Sequence, residues 1–83
     1  MNWDYRLARR AMKNLKRFPK AEQKRIFASL EGMKSNPFKG DVKLMQGEEN
    51  LYRRRVGSYR IYFRPIAEQG LLDIPEIERK QSH

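Results

Sequence analysis

The sequence has no cysteine and a single histidine, His83, at its last position. Without cysteine, neither disulfides nor thiolate metal ligands are available, and one histidine is too few for a histidine-based metal centre. We therefore expect no metal and no other cofactor. There is also no apolar run long enough for a signal peptide or a membrane span, which predicts a cytoplasmic protein with no membrane partner.

Length and charge narrow the class further. The 83 residues suit one small domain, which we place at residues 1–83, and a hydrophobic content of 39% argues against disorder. The formal net charge at pH 7 is +9. An excess of this size attracts anionic partners, of which nucleic acid is the first candidate, an acidic protein the second and a membrane surface the third. The alternative is a basic surface that serves only solubility.

Apolar spacing predicts two helices in the N-terminal half. The first carries an apolar stripe at helical spacing, made by Leu7, Ala8, Ala11, Met12 and Leu15. Pro19 suits the first turn of the second helix, and Asn36-Pro37 should end it because a residue before proline avoids the α region. The two helices should form a hairpin, preceded by a short strand near residues 3–6.

The C-terminal half is rich in strand-forming residues. The predicted strands are Val42–Met45, Leu51–Val56, Tyr59–Arg64 and Leu71–Ile77. Gly57-Ser58 is typical of a tight II′ hairpin turn, Pro65 should limit pairing at its end of the sheet, and Pro75 should bend or fray the last strand. We predict an α+β fold: a short N-terminal strand and a two-helix hairpin packed on one face of a small, curved antiparallel sheet. The other face of the sheet stays open.

The stretch LYRRRVGSYRIYFRP, residues 51–65, holds five arginines and four aromatics but no lysine and no acidic residue. Because side chains alternate across a strand, one face of this hairpin should carry a basic set, namely Arg53, Arg55, Arg60, Tyr62 and Arg64. Arg54 falls on the opposite side and should reach out at the sheet margin. Arginine binds phosphates bidentately and stacks on bases, so this face suits a single RNA strand. A merely solubilising face is the alternative.

The segment NPFKGDVKLMQGEENLYRRRVGSYRIYF, residues 36–63, resembles the RelE/ParE superfamily of bacterial type II toxins. The shared pattern is an Asn-Pro helix end, a Val-Lys-Leu segment, and then Leu-Tyr-Arg-x-Arg-Val-Gly-x-Tyr-Arg-Ile. The resemblance implies the fold predicted above and a toxin neutralised by a small, partly acidic antitoxin. It further implies either cleavage of mRNA in the ribosomal A site, as in members similar to RelE, or inhibition of DNA gyrase, as in members similar to ParE.

The RNA-cleaving branch implies roles for individual residues. Arg53 and Arg55 would grip the mRNA, and Arg60 would contact the scissile phosphate. Arg79 or Lys80 matches the basic residue that follows the last strand and completes the site. No metal is needed, because the ribose 2′-OH attacks the adjacent phosphate and the arginines stabilise the charge that develops.

The acid and the base of this reaction are harder to assign. The tyrosine that family members often carry beyond the final basic residue is absent from the ending QSH. His83 could take its place, although a terminal histidine is more often part of a frayed end. We therefore predict a ribosome-dependent endoribonuclease, with a ParE-type gyrase inhibitor or an inactive binding or co-repressor protein as alternatives.

Overall fold

The computed structural model describes residues 2–80 and confirms the predicted α+β architecture, with two helices packed on a five-stranded sheet. The elements in chain order are β1 (Asp4–Leu7), α1 (Arg9–Arg17), α2 (Lys20–Met33), β2 (Val42–Leu44), β3 (Tyr52–Val56), β4 (Tyr59–Ile66) and β5 (Leu71–Arg79), with a 3-10 turn at Ala67–Gln69. Neither helix within this range is long and apolar enough to cross a lipid bilayer.

The strand order of the sheet is β1-β5-β4-β3-β2. Strands β2 to β5 form a continuous antiparallel run, as predicted, whereas β1 pairs in parallel with the first half of β5. The sheet is therefore mixed. The second half of β5 is covered by α1 instead, where Asn14 Nδ2 donates to the Ile77 carbonyl at 3.2 Å.

The helix hairpin turns within two residues, Phe18 and Pro19. Gln23 closes the turn, because its side-chain amide donates to the carbonyls of Lys16 and Phe18. Pro19 immediately precedes α2, rather than lying in its first turn as predicted. The helix stops at Met33, three residues before Asn36-Pro37.

One apolar layer lies between the helices and the sheet. Its buried side chains are Ala11, Leu15, Ile26, Leu30, Met33, Tyr59, Ile61, Phe63, Leu72, Ile74 and Ile77. Burying each large member contributes about 1.5–3 kcal/mol, so this layer dominates the stability of the fold. It also fixes which side of β4 faces inward, and therefore sends the remaining side chains of that strand to the opposite face.

Pro65 does not end its strand, contrary to the prediction that it would limit pairing. Strand β4 continues through Pro65, which pairs with Leu72, to Ile66. The carbonyl of Pro65 accepts a hydrogen bond from Asn50 Nδ2 at 2.8 Å, so this backbone edge faces away from β5. At position 65 the backbone edge faces no neighbouring strand, so the missing N–H of proline removes no hydrogen bond from the sheet.

Pro75 lies at an irregularity of β5 and does not fray it, because the strand continues to Arg79. Tyr62 pairs with Glu76 and Arg64 pairs with Asp73, so β5 contains one residue more than β4 between these pairs. This is a β-bulge, and one extra residue reverses the alternation of every side chain that follows. Ile77 therefore points into the core, and its acidic neighbours on the strand point outward.

Candidate nucleic-acid interface

Alternation along β3 and β4 places five side chains on the sheet face that is turned away from the helices. We call this surface the arginine face; it comprises Arg53, Arg55, Arg60, Tyr62 and Arg64. Arg53 lies opposite Tyr62 in the ladder, and Arg55 lies opposite Arg60. Cross-strand neighbours on one face are about 4.5–5.5 Å apart at their Cβ atoms. The predicted basic set is thus one contiguous surface.

A cleft of about 250 Å³ opens at the hairpin end of this face, and Arg55, Gly57, Ser58, Arg60 and Lys80 line it. Gly57 has φ +59°, which the II′ turn predicted for this hairpin requires. The lining residues contribute three cations and no carboxylate. The cleft is therefore suited to an anion such as the phosphate of a nucleic acid.

Lys80, and not Arg79, joins Arg60 in this cleft. The backbone N–H of Lys80 donates to the Ser58 carbonyl at 2.7 Å, which ties the residue to the hairpin turn. Arg79 pairs with Tyr59, whose side chain is buried against the helices, so Arg79 lies on the helix side. The sequence left the choice between the two open. His83 lies outside the described residues.

Arg60 lies at the hairpin end of the arginine face and is largely enclosed, with 19% of its side chain exposed. Its Nε atom is buried and has no hydrogen-bond acceptor among residues 2–80, and the same holds for Nε of Arg53. An unpaired buried donor costs about 1–3 kcal/mol. The fold therefore carries the cost of two unpaired donors on this face.

The sequence analysis missed the carboxylates around the arginine face. Glu78 lies opposite Arg60 in the ladder, with Oε1 3.9 Å from Arg60 Nη1. At one rim, Asp41 Oδ2 lies 2.9 Å from Arg55 Nε. Glu76 is bound from outside the sheet by Arg10, at 3.0 Å. The bulge at Pro75 turns both glutamates of β5 outward, and the three-residue spacing from Ile74 to Ile77 is the signal that could have revealed it.

Tyr62 and Glu78 form the shortest side-chain contact on this face. The Tyr62 hydroxyl donates to Glu78 Oε1 at 2.7 Å. Burial, followed by this hydrogen bond, raises the pKa of Tyr62 above its ordinary value, while the nearby Arg60 opposes the rise. The phenol consequently stays protonated throughout the neutral range and acts as a donor to the carboxylate.

Arg64 lies at the other end of the arginine face. Its Nη2 atom is 3.5 Å from Glu48 Oε2, and its Nε atom donates to the Glu49 carbonyl at 3.2 Å. A second cleft of about 360 Å³ runs from this residue past Tyr62 to Glu76. The arginine face thus has a concave region at each end.

Arg54 is separate from this surface, as alternation predicts. It lies opposite Ile61, on the helix side of the sheet. Its Nε atom donates to Ser29 Oγ at 3.0 Å, and its Nη1 atom donates to the Lys39 carbonyl. The guanidinium therefore connects β3 to α2 and to the loop before β2.

What the arginine face can do chemically follows from its composition. It can bind a row of phosphates and stabilise negative charge at the enclosed Arg60, and Tyr62 can stack on a base. Within residues 2–80 there is no group of three or more acidic or histidine side chains arranged to hold a metal ion.

Comparison with known proteins agrees with this geometry. Residues 5–81 match the family described as ParE toxin of type II toxin-antitoxin system, parDE. The RelE1 protein of Methanocaldococcus jannaschii is 27% identical over 84 residues, which cover 98% of this chain and 93% of that protein.

Two solved structures share the fold. The toxin–antitoxin complex RelBE2 of Mycobacterium tuberculosis contains a chain with a TM-score of 0.86 at 17% identity, covering 96% of this chain and 100% of that one. The RelB–RelE antitoxin–toxin complex of Methanococcus jannaschii contains a chain with a TM-score of 0.72 at 28% identity, covering 88% and 87%.

Proposed function

We propose that this chain, which belongs to the family of ParE toxins of type II toxin–antitoxin systems, is a toxin that cleaves mRNA in the ribosomal A site. The observation that carries this proposal is the cleft at the hairpin end of the arginine face, where Arg55, Arg60 and Lys80 converge on one anion-sized space. Inhibition of gyrase would not require cations gathered around a single phosphate.

Within this function each basic residue has a distinct role. Arg60, enclosed and backed by the core, stabilises the negative charge that develops on the scissile phosphate, and Lys80 assists it from the cleft. Arg53 and Arg55 bind the neighbouring phosphates. Tyr62 and Arg64 extend the contact along the strand of RNA toward the second cleft. Electrostatic stabilisation of this kind works best where water is partly excluded, as it is around Arg60.

The expected protein partner is a small antitoxin with an acidic segment. The two solved complexes above pair RelE-type toxins with antitoxins. On this chain, the net charge of +9 and the basic side chains of the arginine face favour a partner that brings carboxylates to the same surface. Co-expression with the product of an adjacent small acidic reading frame should give one complex in size-exclusion chromatography, and two separate peaks would contradict this partner.

Induction of the protein in a bacterial host tests the proposed activity. We expect growth arrest together with new mRNA ends inside translated regions, mapped by primer extension on a reporter message. Purified RNA without ribosomes should be cut poorly, because part of the orientation is supplied by the ribosome. Growth arrest with intact mRNA would refute the proposal.

Gyrase inhibition is the second candidate, because the matching family is described by the name ParE. A supercoiling assay on the same induced cultures distinguishes it. Relaxed plasmid with intact mRNA would favour gyrase inhibition, whereas normal supercoiling with cleaved mRNA favours the nuclease.

A further inference from the structure

Among residues 2–80, the side chains that line the cleft are three cations and the Ser58 hydroxyl, without a carboxylate or an imidazole. Arginine and lysine side chains are hydrogen-bond donors without an acceptor. Attack by the ribose 2′-OH nevertheless needs a base. The nearest carboxylate to Arg60 is that of Glu78, one strand away on the same face.

We propose that Glu78 is the general base that removes the proton from the 2′-OH, and that Tyr62 is the positioning residue that holds its carboxylate. This inference rests on the proposed nuclease function and names the residue that the cleft itself does not supply. Strict alternation along β5 does not place Glu78 on this face; the bulge at Pro75 brings it there.

The geometry leaves the carboxylate able to work. Tyr62 and Arg60 both approach the same oxygen, Oε1, at 2.7 Å and 3.9 Å respectively. Oε2 therefore has no bonded donor among the described residues and can accept from a substrate hydroxyl. At 3.9 Å the contact with Arg60 is loose, so the guanidinium is still able to turn toward a phosphate. Glu78 is 38% exposed, which makes it accessible to RNA.

The charged groups around Glu78 come from three elements. Arg60 and Tyr62 face it from β4, and Arg79 is its neighbour on β5. Arg17 of α1 lines the same small depression of the surface. Glu78 therefore lies among cations that also attract the phosphates of RNA.

The proposed step balances in atoms and protons. The Glu78 carboxylate takes the proton of the 2′-OH, and the 2′ oxygen forms a bond to phosphorus as the bond from phosphorus to the 5′ oxygen breaks. The departing 5′ oxygen takes a proton from water, and Glu78 returns its proton to solvent. The products are a 2′,3′-cyclic phosphate and a 5′-hydroxyl end.

The experiment compares Glu78→Gln with wild type in single-turnover cleavage of mRNA on programmed ribosomes, at saturating protein and across a range of pH. The amide still accepts from Tyr62 but cannot take a proton. We expect a loss of about 10²–10⁴-fold in rate and disappearance of the acidic limb of the pH profile, with RNA affinity unchanged or slightly higher. Glu78→Asp, which keeps a carboxylate, should restore part of the rate and the acidic limb.

Glu31→Gln is the matched control, because the Glu31 carboxylate also accepts from a tyrosine hydroxyl, that of Tyr5, and pairs with Lys34, but lies on α2, outside the arginine face. It should cut at close to the wild-type rate. If Glu78→Gln cuts RNA as fast as wild type or faster, Glu78 serves only to balance the charge of Arg60. That result would overturn the assignment of Glu78 as the base and leave the nuclease function intact. If wild type itself does not cut, the function and the inference fall together.

Discussion

Arg54 lies between Arg53 and Arg55 in the sequence but points to the opposite side of the sheet from the arginine face. Its replacement should therefore lower the stability of the fold without changing the proposed cleavage activity. We expect Arg54→Ala to destabilise the fold, because the side chain connects β3 to Ser29 of α2 and to the Lys39 carbonyl. It also packs against Gly40, where a Cβ atom would lie 3.3 Å from its guanidinium. The loop that carries Asp41, the partner of Arg55, depends on these bonds.

The magnitude follows from the two hydrogen bonds that Arg54→Ala removes. Hydrogen bonds from a charged donor contribute about 1.5–3 kcal/mol each, and partial exposure reduces this for the bond to Lys39. A total of about 2 kcal/mol is therefore expected. For a domain of this size, 1 kcal/mol shifts the melting temperature by about 4–8 °C, so Tm should fall by about 10 °C.

Thermal unfolding followed by circular dichroism, together with urea denaturation, measures this loss. Arg53→Ala is the matched control, since Arg53 lies next in the sequence and its Nε has no acceptor among residues 2–80. Arg53→Ala removes an unpaired buried donor and no hydrogen bond of Nε, so it should not lower Tm. Arg54→Ala should retain wild-type cleavage at temperatures where it is folded. Equal melting temperatures for the two variants would refute the structural role assigned to Arg54.

Two further predictions concern the arginine face. The affinity for single-stranded RNA should fall less steeply with salt in Arg53→Ala and in Arg55→Ala than in wild type. In filter-binding measurements, the slope of log affinity against log salt should be smaller in magnitude by about 0.7 for each variant. An unchanged slope would argue against phosphate contacts there. The pKa of Tyr62 is higher in the folded protein than in the unfolded chain, so the unfolded chain loses the phenol proton at a lower pH. The free energy of unfolding should therefore fall as pH rises above about 10. In urea denaturation between pH 9 and 11, Tyr62→Phe should show a smaller fall than wild type; identical curves would contradict this.

Much of the fold follows from the sequence because alternation is a local property. Tyr59, Ile61 and Phe63 point inward and Arg60 and Tyr62 outward, as period 2 requires, and the II′ turn is set by Gly57. These features need no knowledge of distant strands. They determine one sheet face and most of the basic residues of the site.

Long-range pairing could not be predicted in the same way. The parallel partner of β1 is β5, at the opposite end of the chain, and no local pattern specifies it. Strict alternation would put Glu76 and Glu78 on the same side as Leu72 and Ile74, but the bulge at Pro75 reverses the alternation. Alternation alone does not place the extra residue, and only the three-residue spacing from Ile74 to Ile77 indicates it.

Which of Arg79 and Lys80 lines the cleft also depends on long-range strand pairing. Both follow Ile77, and only the register of β5 against β4 shows that Arg79 pairs with Tyr59 on the helix side. The hydrogen bond from Lys80 to Ser58 then brings Lys80 to the cleft. The site thus depends on strand register as much as on residue type.

The most direct test of the central claim is single-turnover cleavage of ribosome-bound mRNA by wild type and by Arg60→Ala. Arg60 is largely enclosed and lines the cleft at the hairpin end of the arginine face, so its loss should reduce the rate by about 10²–10³-fold. The variant should keep its fold by circular dichroism and still bind its antitoxin. Cleavage by Arg60→Ala at the wild-type rate would contradict the account, because no charge at this position would then be needed in the transition state.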